Sequence, residues 1–291
     1  IGCEYATIFA TLGIPVFLIN TGEVVLPFLA QEIASALVEQ MQRDGVEVIL
    51  KTEIRSVKAP LRDELISIDL STGRVLEADM LLYAAGRSGN TLNLGCEKVG
   101  IKLGKRGQID VDAHYRTSVP NIFAVGDVIG FPSLASTSMD QGRVAVSHIF
   151  GTAGAESIAR IFPYGIYTVP EVSMVGMTEE QARAEGIDVC VGRSSYKNMA
   201  RGKILGTEHG FMKLVFDRKD MGILGVHLIG SLATELIHYG MTLVQGRVPL
   251  LEVTSVVFNY PTLHDLYKYA AYDGLGAAAG KRLAPSIHEL T

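Results

Sequence analysis

The sequence predicts an α/β fold: a doubly wound, Rossmann-like nucleotide-binding domain without its first strand, a short segment after it, and a final α+β domain. Three observations carry this. Residues 14–19 (IPVFLI) and 80–85 are apolar runs of strand length, the pattern of strands covered on both faces of a parallel sheet. Residues 30–44 place Ile33, Leu37 and Met41 at helical spacing among charges, which makes an amphipathic crossover helix. Beyond about residue 163 the pattern becomes a hairpin followed by three helical stretches, as in α+β domains.

The elements follow in order. Residues 4–12 have helical composition, and Gly13 suits the left-handed residue just after a helix. The strand 14–19 comes next, then the amphipathic helix closed at Gly45, then the strand 46–50. From 54 to 75 apolar and polar residues alternate and end in Ser-Thr-Gly, a small antiparallel insertion. Residues 80–85 are expected to return as a buried strand ending in Gly86-Arg87. The segment 90–161 holds an expected strand at 122–125, a turn at Gly126-Asp127 and a helix over 138–150. In the last segment Thr178 and Gln181 form a capping box that opens a short helix ending at Gly186. Residues 211–216 and 223–229 flank a turn as a hairpin, and helices are expected near 232–245, 250–256 and 263–272.

Composition narrows the function classes. With 48% hydrophobic residues and a net charge of −5, the 291-residue chain carries enough apolar surface to fold. The excess of 31 acidic over 26 basic residues offers no electrostatic footprint for nucleic acid. No apolar run approaches the roughly 20 residues that a membrane helix needs. Cys3, Cys96 and Cys190 are too scattered for a zinc or disulfide framework and read as reduced thiols of a cytoplasmic protein. His148, His227 and His238 stand singly in apolar stretches, and no metal is assigned to them.

Several sites have a functional and a plain reading side by side. Gly2 opens a helix and suits the third glycine of a dinucleotide fingerprint, where helix and strand pack closely, but one glycine is no motif. After IPVFLI, Asn20-Thr-Gly-Glu23 is good turn chemistry, or else a neutral amide that tolerates NAD and NADP alike. Gly126-Asp127 ends an apolar run, with Gly permitting close backbone approach and Asp able to accept from a sugar hydroxyl; an ordinary turn has the same letters. Asn259-Tyr-Pro-Thr-Leu-His-Asp265 gathers catalytic residue types. Its plain reading is a helix entry with Thr262 as cap and His264 as a surface residue.

Ile1-Gly2-Cys3-Glu4-Tyr5-Ala6, Ala84-Ala-Gly-Arg-Ser-Gly-Asn-Thr91, residues 117–127, Tyr167-Thr-Val-Pro-Glu171 and Tyr260-Pro-Thr262 occur in this order along the chain. Together they resemble the flavin-dependent pyridine nucleotide–disulfide oxidoreductase family, over essentially the whole sequence. The resemblance implies an NAD(P)-binding domain over 1–89, a returning part of an FAD-binding domain over 90–162, and a dimerisation domain over 163–291. It implies FAD as cofactor, NAD and NADP as substrates, and a homodimer formed through the C-terminal domain. It also implies that the chain is the last two-thirds of a longer protein, entered within the second glycine fingerprint. Gly2 and Glu4 would then lie by the nicotinamide nucleotide, with Glu4 paired to a lysine of the flavin domain. Asn20, Gly86 and Arg87 would border the nucleotide, and Gly126 and Asp127 would hold FAD. Tyr260, with Asp265 five residues on, would project toward the partner's flavin.

Disulfide reductases of this family carry His-Pro-Thr and a Glu five residues after the His. An imidazole near pKa 6.5 suits proton exchange with thiols, and a phenol near 10 does not. Tyr260 therefore favours the family's transhydrogenating members, which pass hydride from NADPH to NAD⁺ and need no thiol chemistry. Those members carry a basic residue after the Asn-Thr pair, where this chain has Gly22-Glu23, an arrangement less suited to NADP. The alternatives are a dihydrolipoamide dehydrogenase-like or other flavin reductase, whose CxxxxC pair would lie upstream, and a dimerisation module without activity of its own.

Overall fold

The computed structural model describes residues 1–60, 64–154, 156–207 and 209–280, so 281–291 of the expected third domain lie outside the described residues. It divides into one unit built from Ile1–Ala84 with the described residues from Ile161 onward, and a second unit, Ala85–Arg160.

In the first unit, helix α1 (Gly2–Thr11) turns Cys3, Ala6, Thr7 and Ala10 inward, a stripe spaced by three and four residues. Gly13, at φ +81°, ends it in the left-handed region that glycine adopts without penalty. Strand β1 (Val16–Ile19) pairs in parallel with β2 (Val46–Ile49), in register Val16 with Val46 through Ile19 with Ile49. Helix α2 (Gln31–Arg43) makes the crossover and buries Ile33, Leu37 and Met41 almost completely. The alternating segment folds as a three-stranded antiparallel sheet of β3 (Ile54–Lys58), β4 (Ile66–Leu70) and β5 (Val75–Ala78).

Two apolar runs are less buried than their composition predicts. β1 is only half covered, and the outward Phe17 ring lies under the Arg74 guanidinium, 5.7 Å from its centroid. Residues 80–84 form no strand, and Met80 and Tyr83 are 87% and 83% exposed. Apolar composition favours burial, but a strand exists only where another backbone completes its ladder. Among the described residues none pairs with this run.

The C-terminal part is a five-stranded antiparallel sheet in the order β6-β7-β10-β9-β8, formed by β6 (Tyr164–Ile166), β7 (Val172–Gly176), β8 (Val189–Ser195), β9 (Phe211–Asp217) and β10 (Ile223–Ile229). The short helix α4 (Glu179–Ala184) opens with the predicted capping box: Gln181 N donates to Thr178 Oγ1 at 3.1 Å, and Thr178 N to Gln181 Oε1 at 2.9 Å. After α5 (Ala200–Leu205) and the β9–β10 hairpin come α6 (Ala233–Gln245), α7 (Leu250–Ser255) and α8 (Asp265–Ala278), near the predicted positions. α8 lies tight on β8 because Gly192 has no side chain; a Cβ there would overlap the Ala270 carbonyl and the Gly274 backbone. The buried Tyr267 hydroxyl donates to Leu236 O at 2.7 Å and accepts from Gly240 N at 3.0 Å, which ties α8 to α6. A second core joins α1, α2 and β2 to Ile166, Val172, Met174, Phe211 and Ile229 of the sheet, so the nucleotide-type segment and the C-terminal sheet share one interior.

The second unit is built around α3 (Ala135–Phe150), capped by Gly151 at φ +61°, with a small core of Cys96, Ile101, Ile109 and Ala124. The expected strand at 122–125 reduces to a single bridge between Arg116 and Phe123, because no further pairing extends it. Residues Gly126–Ile129 make one 3-10 turn. No helix among the described residues is long and apolar enough to cross a membrane.

Candidate functional site

The predicted site residues fall into three local groups. In the first, Gly2 begins α1, and a Cβ on it would stand 3.4 Å from Ala84 Cβ and 4.0 Å from Leu18 Cδ1. That is ordinary contact, so the helix start sits close to the end of β1, as a fingerprint glycine would, yet alanine would also fit. Glu4 is partly buried, and its Oε1 accepts from Tyr167 N at 3.1 Å. Three residues on, Thr7 Oγ1 accepts from Val169 N at 3.1 Å. One face of α1 is thus stitched to 167–169, which places the Glu4 carboxylate beside the helix N-terminus. Asn20 spends its amide inside its own turn, donating to Gly22 O at 3.3 Å and Val24 O at 2.9 Å. The turn reading accounts for that residue locally.

The second group lies in the second unit. Gly86 adopts φ +107° and is followed by Arg87, whose Nη1 is 3.3 Å from Asp127 Oδ2. Both side chains are more than half exposed, so their charges face water and remain available to a ligand. Gly126 needs its hydrogen twice over: its φ is +80°, and a Cβ would come 3.3 Å from Ser138 Oγ at the start of α3. Its N–H donates to Gln141 Oε1 at 2.7 Å, and Gln141 is 1% exposed. Sequence reasoning missed Gln141. The signal was present, since an amide on the same helical face as Val144 and Ala145 must find a buried partner.

The third group is the loop before α8. Tyr260 is 77% exposed, and Asp265 is the first residue of α8, where a carboxylate complements the helix dipole. Among the described residues no hydrogen bond joins the two. Two expectations fail here. Thr262 does not cap the helix, because its buried Oγ1 has no hydrogen-bond partner among the described residues; His264, already helical at φ −64° and ψ −19°, occupies the cap position instead. Nor is His264 a freely exposed residue: it is half-buried. Its ring packs among Phe258 (5.7 Å), Tyr267 (6.4 Å) and Tyr239 (6.5 Å), and that burial pushes its pKa down. The loop is pulled inward by its apolar neighbours, which places His264 in the packing and leaves Tyr260 outside.

Charges the sequence reading did not single out gather elsewhere. A cleft of about 580 Å³ lies between α2, α4 and the sheet, and none of the predicted site residues lines it. Lys213, 2% exposed, is 3.1 Å from Glu32 Oε2 and 2.7 Å from Glu179 Oε2. Burial would raise the Glu32 carboxyl, but the Arg193 hydrogen bonds and the two cations outweigh it and hold it below the usual range. Glu179 is held down in the same way by Lys213 and Arg183. Next to Lys213 on the sheet lies His227, fully buried, whose Nε2 must donate to the Met177 carbonyl at 3.0 Å. Its Nδ1 is then a bare acceptor with no hydrogen-bond partner among the described residues, and burial lowers the pKa to about 4. These charges satisfy one another and read as structural. No group of three metal-ligating side chains occurs among the described residues.

Comparison with known proteins adds the context. Residues 1–142 match a family described as "Pyridine nucleotide-disulphide oxidoreductase", and 162–271 match its dimerisation domain. The chain is 42% identical over 277 residues to the "Soluble pyridine nucleotide transhydrogenase" of Marinomonas sp., and 43% identical over 278 residues to the protein of that name from Pseudomonas aeruginosa. Each match takes in 94% of this chain and 59% of the relative, so the chain spans about three-fifths of the length of these relatives. Among solved structures, LpdA from Mycobacterium tuberculosis is similar with a TM-score of 0.83 at 29% identity, covering 93% of this chain and 58% of that one. The HOCl-induced flavoprotein disulfide reductase RclA from Escherichia coli gives 0.84 at 27% identity, covering 90% of this chain and 61% of that one.

Proposed function

Because this chain belongs to the pyridine nucleotide-disulphide oxidoreductase family, we propose that it serves a flavin-mediated transhydrogenation in which hydride passes from NADPH to NAD⁺. The observation that carries the reading is the loop before α8. Thiol exchange needs a base titrating near neutrality with a carboxylate to orient it. Here the exposed side chain is Tyr260, no hydrogen bond links it to Asp265 among the described residues, and the nearby His264 imidazole is packed among aromatic rings. Hydride transfer between nicotinamides requires no such relay.

The residues present fit FAD in one respect. The positive-φ Gly126, itself buried against α3, turns the chain so that the Asp127 carboxylate stands exposed, where it can accept from sugar hydroxyls, and Arg87 adds a cation for an anionic group. When bound, such a group supplies two-electron storage between the two nicotinamide half-reactions. In this reading Gly2 packs the start of α1 against the end of β1 beside the nucleotide, and Glu4, held by the Tyr167 N–H, orients the nicotinamide side. Gly86 and Arg87 border the cofactor, Asn20 shapes the turn at the ribose end, and Tyr260 with Asp265 faces the partner subunit across the dimer.

We further propose the three-part division at 1–89, 90–162 and 163–291. The homodimer would form through the last part, where Leu251, Val257 and Tyr269 leave apolar surface uncovered. Three cysteines without disulfides agree with a cytoplasmic setting. The test is NADPH-driven reduction of thio-NAD⁺ by the flavin-loaded full-length protein, with Tyr260→Phe beside the wild type. Turnover retained within about threefold in Tyr260→Phe is expected if no proton passes through the phenol, since a general acid or base contributes far more. Absence of transhydrogenation, or a disulfide reductase activity abolished by Tyr260→Phe, would refute the proposal.

A further inference from the structure

The carboxyl ends of β1 and β2 are bound to each other beyond the strand ladder. Asn20 N donates to Ile49 O at 2.9 Å, Lys51 N to Gly22 O at 3.1 Å, and Thr52 N to Asn20 O at 3.2 Å. This lattice holds Lys51 at φ +51°, a left-handed conformation unusual for lysine and one that tends to persist where the surroundings impose it. From the two loops a pair of opposite charges meets, Lys51 Nζ to Glu23 Oε1 at 2.7 Å, with side chains 65% and 78% exposed.

Open α/β sheets bind their ligands beyond the carboxyl ends of the strands. There a carboxylate accepts from the ribose hydroxyls of NAD, or a cation accommodates the 2′-phosphate of NADP. This chain presents one of each, at the tips of adjacent parallel strands and already in contact. Other groups nearby are committed: the Asn20 amide is spent on two carbonyls, and Arg74 is held by Glu47 through both of its terminal nitrogens. We propose that Glu23 and Lys51 together select the adenosine ribose, Glu23 accepting its hydroxyls in NAD(H) and Lys51 taking the 2′-phosphate in NADP(H). The ion pair opens toward whichever nucleotide arrives. An exposed pair of this kind is weak and exchanges partners readily. The cation missing after Asn20-Thr21 is thus supplied from the next strand, while Glu23 restrains it and repels the phosphate dianion. The consequence is moderate affinity for both nucleotides, as an exchange of hydride between them requires. This inference rests on the nucleotide-site reading above.

Its test is calorimetric titration of the intact protein with adenosine 2′,5′-bisphosphate and with 5′-AMP, comparing wild type, Lys51→Asn and Glu23→Gln. Asparagine removes the charge while tolerating the left-handed backbone. Loss of one charge-assisted contact is expected to weaken the bisphosphate about tenfold in Lys51→Asn while AMP stays within about twofold. Removing the restraining carboxylate in Glu23→Gln is expected to strengthen the bisphosphate and weaken AMP, each by about threefold. Binding of both ligands with no change in Lys51→Asn overturns this inference and leaves the nucleotide site intact. Failure of the wild type to bind either ligand overturns the nucleotide-site reading and the inference with it.

Discussion

Replacing Lys213 by methionine puts the buried charge cluster to a direct test. The side chain is 2% exposed, and its ammonium lies between Glu32 and Glu179, themselves 16% and 20% exposed. Methionine fills a similar volume, so the change is mainly one of charge. Removing one partner of a buried pair costs about 3–5 kcal/mol when the remaining charge is left alone. Here each carboxylate keeps an arginine: Glu32 has Arg193 at 2.8 and 2.9 Å, and Glu179 has Arg183 at 2.8 and 3.1 Å. The expected loss is therefore below that range, about 2 kcal/mol. With a urea slope of about 2 kcal/mol/M, the unfolding midpoint at pH 7 should fall by roughly 1 M. The sign of the pH dependence follows from the carboxyls. Both are held below their ordinary range in the native state, so their contribution is present at neutral pH and lost as pH falls through the carboxylate range. The gap between wild type and Lys213→Met should close over that interval. A midpoint for Lys213→Met equal to or above that of the wild type at pH 7 would refute the reasoning, and so would a gap independent of pH.

Two further outcomes are expected. Gln141→Leu leaves the Gly126 N–H buried without an acceptor, so the protein should lose about 1–3 kcal/mol by thermal unfolding and the Gly126 amide its hydrogen-exchange protection; full protection in the variant would show that another acceptor serves. His227 is held neutral with its pKa lowered to about 4 from 6.5, so stability is complete above pH 6.5 and declines as pH falls toward 4. At about 1.4 kcal/mol per unit, the wild type should lose about 1 kcal/mol between pH 7.5 and 5.5, a window in which carboxylates stay ionised. His227→Phe should remove that slope, and an equal slope in both proteins would assign it elsewhere.

Much of the fold is legible because its signals are local. The capping box at Thr178 and Gln181, the left-handed glycines 13, 45 and 186, and the α2 stripe of Ile33, Leu37 and Met41 each need only a few neighbouring residues to take effect. The candidate sites were legible in part. Arg87 and Asp127, 40 positions apart, meet as separate motif residues, but nothing within a short window shows that Gln141 would satisfy Gly126.

What the sequence by itself determined is which segments become helices and hairpins, and which residue types stand at each turn. Only the tertiary structure decided that Lys213, in the apolar run FMKLVF, would have Glu32 from 181 residues earlier as a counter-ion. It also turned His264 inward and Tyr260 outward, left 80–84 without a strand partner, and brought Lys51 against Glu23. The physical reason is common to all four. Helix periodicity and capping are satisfied within a turn of chain, whereas burial of a charge, the ladder of a strand and the meeting of two loop tips depend on groups that come together only when the chain has folded.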